Sequence, residues 1–309
     1  MQIRRIAVSA AITMFWAVMM VLLVRDHIVT RGGSGDAVEV SPSELTSQWQ
    51  DYEEWMTLII SGKPQGISYT AIRRSGEPPS YVTLNRIWLD VDVFGRHSFR
   101  LETAASLNST FHLERASANV RLDEAQMDFA TLVEGSRLYY RWQYEDRARV
   151  GVWRLKKPIA LLDAAQPMLF RQLDLKVGSS FRLPVLDSTW SLRQGWAEMR
   201  VTALERIAVG RKTTEAYKLA IQLGPFSSTT WVSKKGEVLR RDFPSNISME
   251  RADAKAAREQ FPGIDAPAEI PKLEPADFRG SEQAGKGPEE EIGPLTLLGE
   301  LFKSRAQEK

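Results

Sequence analysis

The chain has 309 residues, a formal net charge of +2, 43% hydrophobic and 26% charged residues, and no cysteine. A charge this close to zero provides no basic field for nucleic acid. Without cysteine there is no disulfide, thiol nucleophile, acylated N-terminal Cys or thiolate metal site.

The first element is an uncharged run, Ile6 to Val24, reading IAVSAAITMFWAVMMVLLV. As a helix it is about 28 Å long at ~1.5 Å per residue, close to the ~30 Å hydrocarbon core of a bilayer. A lone segment crosses lipid only as a helix, because every backbone polar group needs an internal partner. Arg4 and Arg5 precede it and favour a cytoplasmic N-terminus. The alternative is a cleaved signal peptide. The run is longer than such a core, Arg25 follows it at once, and there is no A-x-A site nearby. Residues 1–29 are therefore expected to be a single-pass anchor in the cytoplasmic (inner) membrane. Residues 30–41 form a Gly-rich linker, and the remainder lies on the periplasmic side.

Ser41-Pro42-Ser43-Glu44 has the composition of a helix start, with Leu45, Trp49 and Trp55 on the apolar face of a short helix. From Trp55 the period becomes two. WMTLIIS and ISYTAIRR read as strands around Gly62–Gly66. Tyr81–Phe94 alternates strongly, with Val82, Leu84 and Trp88 on one parity and Ile87, Leu89, Val91 and Val93 on the other. Phe99 and Leu101 open the next strand, and Phe111 and Leu113 the one after. MDFATLVEG and SRLYYRWQYE read as a hairpin around Glu134-Gly135. Residues 158–173 carry apolar side chains near helical spacing (Ile159, Leu162, Met168, Leu169) with Pro167 as a kink or stop. They read as one or two short helices. Strands resume after Gly178 and end on a hairpin, Trp231–Arg240, with Gly236 in its turn.

The fold class expected is mainly β (α+β). A curved antiparallel sheet or half-barrel occupies residues 42–250, with the helical insert 158–173 in its concavity. Short connections support antiparallel pairing, since parallel crossovers need about a dozen residues. From 251 to 309 the composition turns polar: a short polar helix (ERADAKAAREQF) is followed by a stretch rich in Pro, Gly and Glu. This reads as a disordered tail ending in an amphipathic helix over 294–305. Leu295, Leu298, Leu301 and Phe302 share one face there and are candidate contacts for a protein partner; the alternative is a helix folded back on its own domain.

The stretch Trp55–Arg73, with its Gly-x-x-x-Gly hairpin, resembles the start of bacterial envelope proteins. The closing Trp231–Arg240 hairpin is similar to that of the DUF3108-like and LolA/LolB-like group. The resemblance covers about residues 50–245. It implies a curved antiparallel half-barrel with helices over an apolar cavity, and lipid or lipoprotein acyl chains as ligands. This chain differs in retaining an anchor and lacking an acylated Cys, which favours a fixed docking role over shuttling.

Nine tryptophans are present. The functional reading is an apolar groove lined by Trp88, Phe99, Leu101, Phe111, Trp142, Trp153, Trp190, Trp196 and Trp231, with Met168 and Phe170 of the insert as plug or lid. The alternative is that these side chains fill an ordinary core. His97 and His112 have acidic neighbours in sequence, but no motif for a hydrolase, phosphate loop or dinucleotide site occurs. No cofactor, metal or catalytic residue is expected. The function expected is a membrane-anchored periplasmic binding or scaffold protein, the alternative being a structural subunit of an envelope assembly with no small ligand. The anchor can be tested directly: intact-mass analysis should find Met1–Val24 retained and the protein should stay with membranes through a high-salt wash. A mature N-terminus near residue 30 contradicts it.

Overall fold

Apolar–polar alternation turns most of this chain into strands. The computed structural model describes residues 37–46, 49–92, 96–144, 147–186, 194–210, 212–224, 226–244, 246–266 and 275–278. The first strands are β1 (Val38–Glu39), β2 (Tyr52–Ile60), β3 (Lys63–Ser75), β4 (Ser80–Asp92), β5 (Arg96–Leu107) and β6 (Leu113–Leu122). They are followed by β7 (Ala125–Glu134), β8 (Arg137–Tyr144), β9 (Arg147–Arg154) and β10 (Ala160–Leu161), which runs into helix α1 (Leu162–Gln172). Then come β11 (Ser180–Leu186), β12 (Gln194–Val209), β13 (Lys212–Leu223), β14 (Phe226–Ser233), β15 (Val238–Phe243), β16 (Ile247–Arg251) and helix α2 (Ala254–Gln260).

Each strand from β2 to β9 pairs antiparallel with the next, and so does each from β11 to β16. The two meanders join where β16 pairs antiparallel with β2, Ile247 opposite Ile60 and Arg251 opposite Met56. The short strands β1 and β10 both lie parallel along β11. The result is one 16-stranded sheet among the described residues. A single buried cluster draws side chains from β2 through β15 and from α1, so the sheet curves around α1. Mainly β architecture with a large curved sheet and two short helices is thus as expected.

Helix α1 is buried continuously from Ala164 to Phe170. A helix enclosed on every side needs no polar face. Pro167 sits inside it and does not end it; the enclosing sheet holds the helix despite the backbone bond that proline removes.

The convex face is also covered in part. Helix α2 begins at Asp253, whose side chain accepts from Ala256 N (2.9 Å) and caps an otherwise orphan donor. Ala257 and Ile264 pack against Trp55, Ile67, Tyr69, Ala71, Leu84 and Ala104. Two arginines clamp the segment. Arg86 Nη1 donates to the Ile264 carbonyl (2.7 Å) while its Nε holds Glu102 (2.6 Å). Arg258 Nη2 donates to Glu53 (2.8 Å) and its Nε to Asp265 (2.7 Å). Further on, Phe278 is buried beside Tyr139 of β8, ring centroids 5.9 Å apart. Residues 252–266 and 275–278, read from sequence as part of the polar tail, therefore lie against the sheet.

Local departures have local causes. Residues 42–55 do not form one helix: a 3-10 turn spans Pro42–Thr46, and Trp55 is a residue of β2. Pairing with β3 and β16 on its two sides overrides the helical spacing of Leu45, Trp49 and Trp55. The β2–β3 turn is the two residues Ser61-Gly62. Gly66 belongs to β3, where an added Cβ would meet Trp88 O at 2.2 Å. The apolar run Ile6–Val24, Trp190 and the terminal segment 294–305 lie outside the described residues. Among the described residues no helix is long and apolar enough to cross a membrane.

The β14–β15 turn fastens the helix. Gly236 has φ +77°, and a Cβ there would meet Phe170 O at 2.5 Å and Arg171 N at 2.6 Å. Both the conformation and the contact require glycine. Gly236→Ala should destabilise the fold by about 2 kcal/mol or more, read as a lower midpoint in chemical denaturation. Substituting Gly210, which also has positive φ but nothing within 4 Å, should cost less.

Candidate functional site

Strand alternation sorts the side chains of β2–β9 into rows across the concave face. One row runs Tyr52, Ile72, Thr83, Ala105, Ala116, Thr131, Tyr140, Gly151. It belongs to the core around α1, and its small residues leave room for large neighbours. Gly151 lies so close to the Tyr140 ring that a Cβ would meet Cζ at 2.3 Å.

The next row is Glu54, Thr70, Asn85, Thr103, Ala118, Phe129, Trp142, Arg149. Its β2 end is ionic. Glu54 is 3% exposed, accepts a short hydrogen bond from the Tyr52 hydroxyl and accepts from Arg241 Nη2 at 3.1 Å. Burial, then the Glu54 carboxylate, push the Tyr52 phenol well above its ordinary range, so it stays a donor. Arg171, in the last turn of α1, stacks over the Tyr52 ring at 4.9 Å. Beside it opens a cleft of about 320 Å³ lined by Gln50, Met168, Arg171, Gln172, Lys235 and Glu237.

At the β8 end of the same row the polar atoms lack partners. Trp142 Nε1 and, one row over, Thr131 Oγ1 are buried with no hydrogen bond. The Arg149 guanidinium stands 5.8 Å from the Trp142 ring centroid.

The third row changes character to Met56, Ser68, Ile87, Leu101, Val120, Met127, Tyr144, and the fourth adds Leu58, Leu89 and Phe99. Val120 and Met127, with Phe99, Leu101 and Tyr144 against them, form an apolar cluster distinct from the core around α1. Ile87, Leu89, Phe99 and Leu101 are only partly buried.

Of the residues expected in a groove, Phe111, Trp142, Met168 and Phe170 come together in the core around α1, with Trp153 packed on it. Phe99 and Leu101 belong to the third- and fourth-row cluster. Trp88, Trp196 and Trp231 stand on the convex face instead, a correction that follows from parity. Trp88 shares the face of Leu84 and Arg86, opposite Ile87 and Leu89, and carries Arg100 at 4.7 Å. Trp196 lies opposite Pro184, between Lys157 (5.1 Å) and Arg182 (4.9 Å). Trp231 lies opposite Lys218 and donates to Glu205 at 2.6 Å. Trp190, Leu295, Leu298, Leu301 and Phe302 are outside the described residues.

His112 belongs to a turn. Its Nδ1 is 2.8 Å from Thr110 Oγ1 and its backbone N donates to Asn108 Oδ1 at 3.0 Å. Burial holds its pKa below the ordinary histidine value. Among the described residues no three His, Asp or Glu side chains gather as a metal site.

The buried ionic group was missed from sequence, although a signal existed. Glu54 shares the strand parity of Tyr52, Met56 and Leu58, a carboxylate on an otherwise apolar face.

Comparison with protein-family models and with curated proteins gives no match. Among solved structures, the chain is similar to a β-barrel-like protein of domain of unknown function DUF1849 from Brucella abortus. That alignment has 8% identity and a TM-score of 0.44, over 65% of this chain and 98% of that one. A DUF1089 family protein from Pseudomonas aeruginosa aligns at 18% identity and a TM-score of 0.29, over 58% of this chain and 90% of that one.

Removing one partner of a buried ion pair strands the other charge. Glu54→Leu should cost about 3 kcal/mol, measured by denaturant titration. The double variant Glu54→Leu/Arg241→Met should recover much of that loss; equal losses in the single and double variants would show that the pair does not act as a unit.

Proposed function

We propose that this protein is a binding or scaffold component of a bacterial-type cell envelope, anchored through Ile6–Val24 in the inner membrane with its sheet on the periplasmic side. Its concave face would receive an apolar chain, from a lipid or an acylated protein. The observation that carries this reading is the set of half-buried apolar side chains Ile87, Leu89, Phe99, Leu101 and Tyr144 on the concave face, the last three packed on a small buried cluster of Val120 and Met127 apart from the core around α1. An apolar surface left partly open on a concave face is the ordinary construction of a hydrophobic binding site. The resemblance of the Trp231–Arg240 hairpin to the LolA/LolB-like and DUF3108-like group points the same way.

The second reading is a structural subunit that binds only proteins. It is favoured by the enclosure of α1, which already fills the concavity beside the first row. On that reading the polar tail, through Leu295, Leu298, Leu301 and Phe302, supplies the partner contact.

Organic extraction and native mass spectrometry of the purified full chain separate the two. The binding reading expects lipid to co-purify, and Leu101→Lys to abolish it with the far-UV circular dichroism of the fold retained. A lipid-free wild-type protein would favour the structural subunit.

A further inference from the structure

The cleft at the end of α1 is built by the close approach of two segments. The β14–β15 turn reaches the helix backbone only because residue 236 is glycine: a Cβ there would meet Arg171 Cα and Phe170 O at 2.5 Å. The turn is fixed from within, since Ser233 Oγ accepts from the backbone N–H groups of Lys235 and Glu237, each at 3.2 Å. The helix end is fixed from the other side, where Gln172 Nε2 donates to Leu45 O of the 3-10 turn at 2.6 Å. This arrangement puts Arg171 and Lys235 on the wall of one cleft of about 320 Å³, at the lower end of the range for small-molecule sites. Both side chains are exposed, so a ligand reaches them without opening the fold.

Two cations brought to one cleft repel each other, and little in the chain neutralises them. Arg171 lies over the Tyr52 ring at 4.9 Å, a contact that orients the guanidinium and leaves its N–H donors available. Among the described residues neither Arg171 nor Lys235 forms an ion pair or a side-chain hydrogen bond. Lys234, one residue earlier in the same turn, is held by Glu215 at 2.5 Å. Glu237 is the one carboxylate on the cleft wall, and Arg251 Nη2 donates to it at 3.4 Å. Arg171, Lys235 and Arg251 against Glu237 leave a net charge of +2. Gln50 and Gln172 add amide groups to the same wall. A phosphate monoester matches this set: it carries about −1.5 to −2 charge at neutral pH and three acceptor oxygens, enough to engage a guanidinium through two of them and an ammonium through the third.

We propose that this cleft binds a phosphate monoester, with Arg171 and Lys235 holding its oxygens and the Gln50 amide beside them. The site does not depend on the apolar-chain reading above. A small phosphorylated solute and the headgroup of phosphatidic acid present the same group, and the test includes both.

The full chain in neutral detergent and phosphate-free buffer is titrated calorimetrically with glycerol 3-phosphate, glycerate and dihexanoyl phosphatidic acid. Wild type should bind glycerol 3-phosphate more tightly than glycerate. Arg171→Gln and Lys235→Gln should each weaken it roughly tenfold. Lys234→Gln, which loses only the Glu215 contact, should leave it unchanged, and far-UV circular dichroism should match wild type for all three variants. Tighter binding of the phosphatidic acid, with the same dependence on Arg171, would support the site and identify a lipid source; tighter binding of glycerol 3-phosphate would support a soluble one. Equal affinity for glycerate would overturn the choice of phosphate. Equal affinity in wild type, Arg171→Gln and Lys235→Gln, or no saturable binding of either phosphate, would overturn the site, whatever lipid extraction shows for the apolar wall.

Discussion

Two meanders that share no turn become one sheet only where β16 meets β2. Five residue pairs form that seam, from Ile247 opposite Ile60 to Arg251 opposite Met56. Glu54 and Arg241, which tie the strands flanking it, are 187 residues apart in sequence. Closing so long a loop costs entropy that local strand pairing cannot recover, so the seam must be specified by more than backbone bonds. The ionic group supplies that specification. A slip of β2 by one residue would turn Glu54 to the convex face together with Met56 and Leu58; in one direction Trp55 would then face Arg241, and in the other Glu53 would keep a carboxylate there at the cost of the apolar contacts. A buried pair of this kind does little for stability against a well-packed apolar replacement. Its effect is on which register is allowed.

That register also determines what the concave face can hold. Ala105, Ala116 and Gly151 fall in the row that joins the core around α1, and this row takes in the Tyr140 ring and the buried helix. Two rows away, Leu101, Val120 and Met127 fall outside that core. The concavity is thus divided by residue size into a filled part and a lined part, with the row from Glu54 to Arg149 between them. Gly236 holds α1 at the boundary, since its missing Cβ is what lets the β14–β15 turn reach the helix backbone.

Much of this was legible in the chain. Period-two alternation marks β4, β6, β7 and β8 directly, and Gly135 and Gly236 mark two of the turns. Alternation does not say which parity faces inward when both are apolar. In β4, Val82, Leu84 and Trp88 compete with Ile87 and Leu89, and the question is decided by α2, which covers Leu84 and Trp55 on the convex side. That covering was hidden because α2, legible as a short polar helix, shows no apolar face that would dock it on the sheet. Its contribution is Ala257 plus Arg258, whose guanidinium lies 4.9 Å from the Trp55 ring. The seam was hidden for a different reason: pairing between β16 and β2 is non-local, and nothing in either strand names its partner.

The tryptophans show how the same composition supports opposite conclusions. A high count suggests an aromatic-lined pocket, yet the rings on the convex face are each capped by a cation: Trp88 by Arg100, Trp196 by Lys157 and Arg182, Trp231 by Lys218 and Arg240. The aliphatic stems of Arg and Lys shield the ring while the charge stays in water, and the ring quadrupole attracts the charge. These indoles solve the problem of keeping a broad β surface soluble, and they contribute nothing to the concavity. Trp142 has a guanidinium over it as well, but it stands on the inner face with its N–H unpaired. Trp231 on the outside satisfies its own N–H with Glu205. Trp55, beneath α2 on the outside, leaves its Nε1 as unpaired as that of Trp142, so in this fold the place of an indole follows from strand parity and from what packs over it, which neither count nor spacing in the sequence can express.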